Sequence, residues 1–215
     1  MNNYGFFDVA LEASAFKFGK FMLKSGRTSP YFFNAGLFNQ GKTLHKLAEC
    51  YAAKLTAVNL NFDVLFGPAY KGISLAALIA SVLYSQYKKN VGFCYNRKEE
   101  KDHGEGGLVV GANIKSKKVL IIDDVITAGT AIKQTIDIIE LHGGQVAGIC
   151  VALDRQEVAP NQKISAVKMV ELTHQLPVYS IATLSDLIAY LKLNNQIKPT
   201  VIDSIKTYQE SYLVT

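Results

Sequence analysis

Residues 119 to 131, VLIIDDVITAGTA, constrain the chain more than any other stretch. Its opening VLIIDD, a continuous apolar run ending in two acids, describes a strand buried on both faces, as in parallel sheets. Its carboxyl end delivers Asp123 and Asp124, and in open α/β sheets ligands bind at that end. Thr127, Ala128, Gly129 and Thr130 then form a small-residue turn entering a helix. Free N–H groups and the positive end of the dipole favour a phosphate there. Gly129 admits close backbone approach, and the threonine hydroxyls add donors. An isolated acid pair after a strand is more often a surface cap, and TAGT alone only a helix entry. The whole string joins carboxylates for sugar hydroxyls to a phosphate cradle.

The rest of the chain supplies a fold to carry that strand. Helical and strand patterns alternate, the order expected of parallel strands with crossover helices. Residues 6 to 15 read as a helix, and 16 to 33 alternate around SGRTSP as a hairpin. Helices are expected near 42–57, 72–84, 131–141, 184–192 and 200–211, with strands at 64–69, 92–97, 119–124, 146–154 and in VYSIATL. The polar, glycine-rich KEEKDHGEGG cannot bury enough apolar surface to hold itself rigid, so about 97–108 is expected to be a mobile loop. With 215 residues and 49% hydrophobic content, one α/β domain with a small N-terminal flap is expected.

Cys50, Cys94 and Cys150 lie far apart with no C-x-x-C pair, which argues against a disulfide framework or zinc site and for a reducing compartment. The N-terminus lacks the basic start of a signal peptide. The longest uncharged run, Gly72 to Tyr87, falls short of the roughly 18 to 20 apolar residues that span a membrane. A net charge of +5 favours anionic partners. Its one compact basic cluster, RKEEKDH, is nearly cancelled by Glu99, Glu100 and Asp102, unlike the one-sided stripe of a duplex binder.

Three further segments carry chemistry. In GPAYKG a strand-to-helix turn places Tyr70 and Lys71 at a second helix N-terminus, a cradle for pyrophosphate; with no G-K-[ST] it is not an ATPase loop. Tyr31, Phe32 and Phe33 are adjacent aromatics, a pattern more often core than platform. Alternation can nonetheless send one phenylalanine inward and lay the other against a planar ring. Arg155 follows a strand and offers the planar fork that suits a carboxylate, or else a surface pair with Asp154 or Glu157.

The 119–131 string resembles the binding motif for phosphoribosyl pyrophosphate (PRPP) of type I phosphoribosyltransferases. FMLKSGRTSPYFFN, LFGPAYKGI, YNRKEEKDHGEGG and LDRQE resemble the orotate branch in particular, in matching order to about residue 157. The resemblance implies a central, mostly parallel sheet flanked by helices, with an N-terminal hood over about 1–40 and a lid closing over the site. It implies that Asp123 and Asp124 hold the ribose hydroxyls, and that Val125, Ile126, Thr127, Ala128, Gly129, Thr130 and Ala131 cradle the 5'-phosphate. PRPP would also meet Lys24, Tyr70, Lys71, Arg97, Lys98, Lys101 and His103, with Lys101 and His103 in catalytic roles. Phe32, Phe33, Thr127 and Arg155 would hold orotate.

The same resemblance implies Mg²⁺ carried by PRPP oxygens with no protein metal site, a homodimer sharing its lid, and a cytoplasmic enzyme of UMP biosynthesis without nucleic-acid or membrane partners. Displacement at the anomeric carbon needs no protein nucleophile, so position and electrostatics are the protein's contribution. A PRPP-sensing regulator would carry a helix-turn-helix or a concentrated basic face, and neither occurs. A purine-directed relative fits less well, because Arg155 and YFFN resemble the orotate branch.

Overall fold

Strand β6 (Lys118–Val125) lies at the centre of the sheet, and its sequence explains why. Val119, Leu120, Ile121 and Ile122 have no exposed surface. Alternate side chains on a strand face opposite ways. Leu120 and Ile122 accordingly join one core, while Val119 and Ile121 join a second. Each such side chain contributes about 1.5–3 kcal/mol by leaving water. In this computed structural model, residues 4–23, 26–101, 107–127, 129–159, 163–194 and 197–212 are described, with backbone alone at 100 and 101.

Six strands form the main sheet in the order β5-β4-β3-β6-β7-β8. They are β3 (Val64–Gly67), β4 (Gly92–Lys101), β5 (Gly107–Gly111), β6, β7 (Gln145–Asp154) and β8 (Val178–Thr183). All neighbours run parallel except β4 and β5. Helix α4 (Thr130–Leu141) lays Ile132, Ile136 and Ile139 on the Val119–Ile121 face. Helices α2 (Gly41–Ala57), α3 (Lys71–Tyr87) and α6 (Leu184–Leu193) cover the other face, together with α1 (Tyr4–Glu12).

The hood is a separate two-stranded sheet, β1 (Phe16–Met22) against β2 (Thr28–Phe33), antiparallel as expected, with a register shift between Phe18 and Phe21. Its inward aromatics, Phe16 and Tyr31, share a core with Phe6 and Phe7 of α1 and with Tyr208 of α7 (Pro199–Tyr212).

Two features differ from the sequence expectation. The polar stretch at 97–108 is strand at both ends: β4 runs on to Lys101, and β5 pairs Asn96 with Val109 and Lys101 with Gly107. Backbone pairing across an edge hairpin satisfies polar groups without apolar burial, which the low hydrophobicity concealed. Helix α5 (Ala166–His174) was not expected; Ser165 caps it by accepting from the Lys168 amide, and it buries only Ala166 and Val170. Its one-sided apolar face is too narrow for a clear periodic signal.

The turn from β3 to α3 is pressed against the end of β6. A Cβ on Gly67 would lie 2.1 Å from the Gly72 carbonyl oxygen, and one on Gly72 would lie 2.8 Å from the Ile122 carbonyl oxygen. Both obstacles are backbone, which cannot rotate aside. Gly67→Ala is therefore expected to cost about 3 kcal/mol, the upper end for overpacking. Chemical denaturation measures this, and a change under about 1 kcal/mol would show the turn to be loosely packed.

Candidate active site

The carboxyl ends of β3, β6 and β7 gather the candidate residues at one edge of the sheet. The Tyr51 hydroxyl, reaching from α2, donates to the Asp123 carbonyl oxygen at 2.7 Å. The Asp124 amide donates to Asp123 Oδ1 at 2.8 Å, which fixes that carboxylate. Asp124 is itself buried and paired with Lys71, whose Nζ lies 2.7 Å from Asp124 Oδ2. Burial and the neighbouring Asp124 charge push Asp123 up to about 7, against the pull of Lys71.

Asp123 shares a cavity of about 220 Å³ with Val125, Ile126, Thr127, Gly129, Thr130 and Ala131. Gly129 stands in the left-handed region at φ 74° as the N-cap of α4, and no side chain caps the first amides of that helix. Orphan N–H groups beside small residues are a ready anion cradle. Ala128 lies outside the described residues. The larger cleft between the hood and α7, about 540 Å³ and lined by Thr28, Pro30, Ser204 and Tyr208 among others, has no carboxylate in its lining.

The β3–α3 turn brings its own cations to this edge. Tyr70 is the N-cap residue of α3 and is 68% exposed. Lys98 Nζ sits 4.6 Å from the centre of the Tyr70 ring, so the hairpin and the turn meet face to face. Arg97 donates from Nη1 to the Gly107 carbonyl at 2.9 Å, bracing the hairpin. Asn96, with no role expected from sequence, accepts the Ala69 amide at 3.1 Å and donates to the Arg97 carbonyl. Lys24 and His103 lie outside the described residues, as does the side chain of Lys101.

On the hood side, alternation divides the aromatics as expected. Phe33 packs among Phe6, Phe16 and Phe38, while Phe32 is 39% exposed beside Phe21. Arg155 follows the end of β7. Its Nη2 lies 2.6 Å from Glu157 Oε1 and its Nε donates to the Tyr31 hydroxyl at 3.2 Å. The surface-pair alternative thus holds as to partner, while Arg155 is only 17% exposed. Tyr51 joins the site through a contact that no local motif signals, while Tyr31, Asn96 and Glu157 lie within the motif segments and add long-range partners that those segments do not reveal.

The two carboxylates are hard oxygen donors of the kind Mg²⁺ accepts beside substrate oxygens. Among the described residues no cluster of three or more His, Cys, Asp or Glu could hold a metal alone.

The raised Asp123 has a consequence for stability. Its folded value of about 7 exceeds its ordinary 3.8, so the folded state binds the proton more tightly. Its contribution therefore declines as pH rises from about 4 to about 7. Asp123→Asn is expected to be more stabilising at pH 8 than at pH 5, as read by thermal midpoints. Equal shifts at both pH values would show Asp123 to be ordinarily acidic.

A family model described as "Phosphoribosyl transferase domain" matches residues 37–182. An orotate phosphoribosyltransferase of Pseudoalteromonas translucida is 49% identical over 207 residues, 96% of this chain and 95% of the relative. A crystal structure of the Francisella tularensis orotate phosphoribosyltransferase superposes with a TM-score of 0.87 at 42% identity, covering 97% of this chain and 98% of that one. The Mycobacterium tuberculosis orotate phosphoribosyltransferase in complex with PRPP shares the fold, at a TM-score of 0.64, 17% identity, and coverage of 87% and 99%. With its acid pair, uncapped helix entry and parallel sheet placed as described, the chain belongs to the phosphoribosyltransferase family and, within it, to the orotate phosphoribosyltransferases.

Proposed function

We propose that this chain transfers the 5-phosphoribosyl group of PRPP to N1 of orotate, releasing pyrophosphate and forming orotidine 5'-monophosphate in pyrimidine synthesis. The observation that carries this is the shared cavity of Asp123 and the α4 turn. It offers a carboxylate for ribose hydroxyls and amides for the 5'-phosphate within one sugar phosphate's reach.

In the transfer the bond from C1' to the pyrophosphate oxygen breaks as the bond to N1 forms, with inversion, and the proton of N1 leaves to the departing pyrophosphate or to water. Asp123 and Asp124 accept hydrogen bonds from the ribose hydroxyls and so orient the sugar for in-line attack. Lys71 starts on Asp124 and is the cation nearest to hand for the departing pyrophosphate. Lys98, beside Tyr70, joins it. Mg²⁺ bound with PRPP supplies further neutralisation of pyrophosphate charge. Phe32 offers the base a ring face, and Arg155 offers its carboxylate a fork.

Lys24, Lys101 and His103 complete the PRPP contacts in this proposal, Lys101 countering leaving-group charge. The segment at about 97–108 acts as a lid that excludes water and reaches a neighbouring subunit in a homodimer. The enzyme works in the cytoplasm as one domain with the hood at about 1–40. No helix among the described residues is long and apolar enough to cross a membrane.

The direct test is loss of orotate absorbance on mixing with PRPP and Mg²⁺, with uracil and adenine as controls; equal consumption of adenine would refute the base assignment. Lys101→Ala is expected to lower kcat by about 10² to 10³, the scale for one preorganised charge-stabilising group. Unchanged turnover would remove Lys101 from the chemistry. Arg155→Ala should weaken orotate by about 2–5 kcal/mol and leave PRPP nearly unaffected. Equal losses for both substrates would contradict its role.

A further inference from the structure

Glu157 sits between two arginines in a nearly closed polar cluster. Arg155 Nη2 lies 2.6 Å from Glu157 Oε1, and Arg27 Nη1 lies 3.6 Å from Glu157 Oε2. The three side chains are 13–17% exposed. The Tyr31 hydroxyl closes the loop, accepting from Arg155 Nε at 3.2 Å and donating to Glu157 Oε1 at 3.3 Å. Arg27 also donates to the Val158 carbonyl and lies over the Tyr212 ring at 4.5 Å.

A guanidinium can be gripped along its Nε–Nη2 side or at its Nη1–Nη2 end. Here Tyr31 and Glu157 take the side. Among the described residues Nη1 of Arg155 meets no hydrogen-bond acceptor, so the end remains for a ligand. The charge favours an anion as well, since two guanidiniums and one carboxylate sum to +1.

The loop carrying this cluster is fixed by the C-terminal part of the chain. Gln156, in the left-handed region at φ 55°, accepts from the Ser185 amide and hydroxyl of α6 and from Gln209 of α7. The Val158 amide donates to the Tyr212 carbonyl.

We infer that Glu157 is a positioning residue for the base: with Tyr31 it holds Arg155 side-on, so that the free end of the guanidinium meets the substrate carboxylate. This rests on the proposed role of Arg155. Without Glu157, Arg155 loses a charged partner and turns to solvent or backbone, and Arg27 repels it. The sugar and pyrophosphate contacts, on β6 and the β3–α3 turn, stay in place.

Steady-state kinetics of the full chain, with orotate and PRPP varied separately, test this. Glu157→Gln keeps the volume and an acceptor but not the charge. It is expected to raise KM for orotate by about 10- to 100-fold, the scale of a hydrogen bond to a charged group. KM for PRPP should stay within about twofold and kcat within about threefold. Glu157→Asp should restore part of the orotate affinity. Tyr31→Phe, which leaves the charges balanced, should raise KM for orotate by about three- to tenfold, and it carries the test should Glu157→Gln not fold. Parallel changes in both KM values, or no change, would overturn the positioning role. Arg155→Ala, measured alongside, separates the two failures: a selective orotate defect there with none in Glu157→Gln sinks only the inference about Glu157. A nonselective defect in Arg155→Ala sinks the carboxylate reading itself.

Discussion

Everything at this site depends on holding two consecutive carboxylates at the rim of a dry sheet. Four apolar residues of β6 anchor the strand in cores on both faces, so Asp123 and Asp124 emerge at a fixed height. Charge held there is unfavourable unless neighbours answer it. Lys71 answers Asp124 with an ion pair, and the Asp124 amide answers Asp123. The two acids are thus unequal before any sugar arrives: one is already neutralised, and the other has a raised affinity for a proton.

The base side repeats this arrangement with opposite charge. There the group proposed to meet the substrate is the Arg155 guanidinium, and its internal counterion is Glu157. In both places the charged residue is oriented by a partner from a distant element, 53 residues away for Lys71 and Asp124 and 124 for Tyr31 and Arg155. Such partners set geometry without themselves being consumed, which is what preorganisation requires. The cradle of α4 works differently, using amides that no side chain caps.

How much of this could be read in the sequence follows from the range of each interaction. VLIIDD announces a buried strand because its periodicity is local, and TAGT announces a helix entry because its turn chemistry is local. The split between Phe32 and Phe33 also follows from strand alternation alone. Strand β5 and the outer half of β4 were hidden because an edge hairpin made of polar residues has no apolar pattern to display. Tyr51, Asn96 and Glu157 were hidden for another reason. Their long-range roles exist only once α2, β4 and the loop after β7 stand beside their partners: Tyr51 on Asp123, Asn96 on Ala69 and Glu157 on Tyr31 lie 72, 27 and 126 residues apart, whereas the Arg155–Glu157 pair is local and legible in LDRQE.

The bond from Ala69 to Asn96 ties the β3–α3 turn to β4, beside the ladder of β3 and β4 and the Lys98–Tyr70 contact. Asn96 stands one residue before Arg97 and two before Lys98, at the root of the outer hairpin. Ala69 stands one residue before Tyr70 and two before Lys71. A tilt of the hairpin root is therefore passed to the turn as a pull on its backbone, and Lys71 and Lys98, the cations proposed to meet the leaving group, shift together. In the proposed mechanism, closing the outer hairpin and seating the pyrophosphate would then be a single mechanical event.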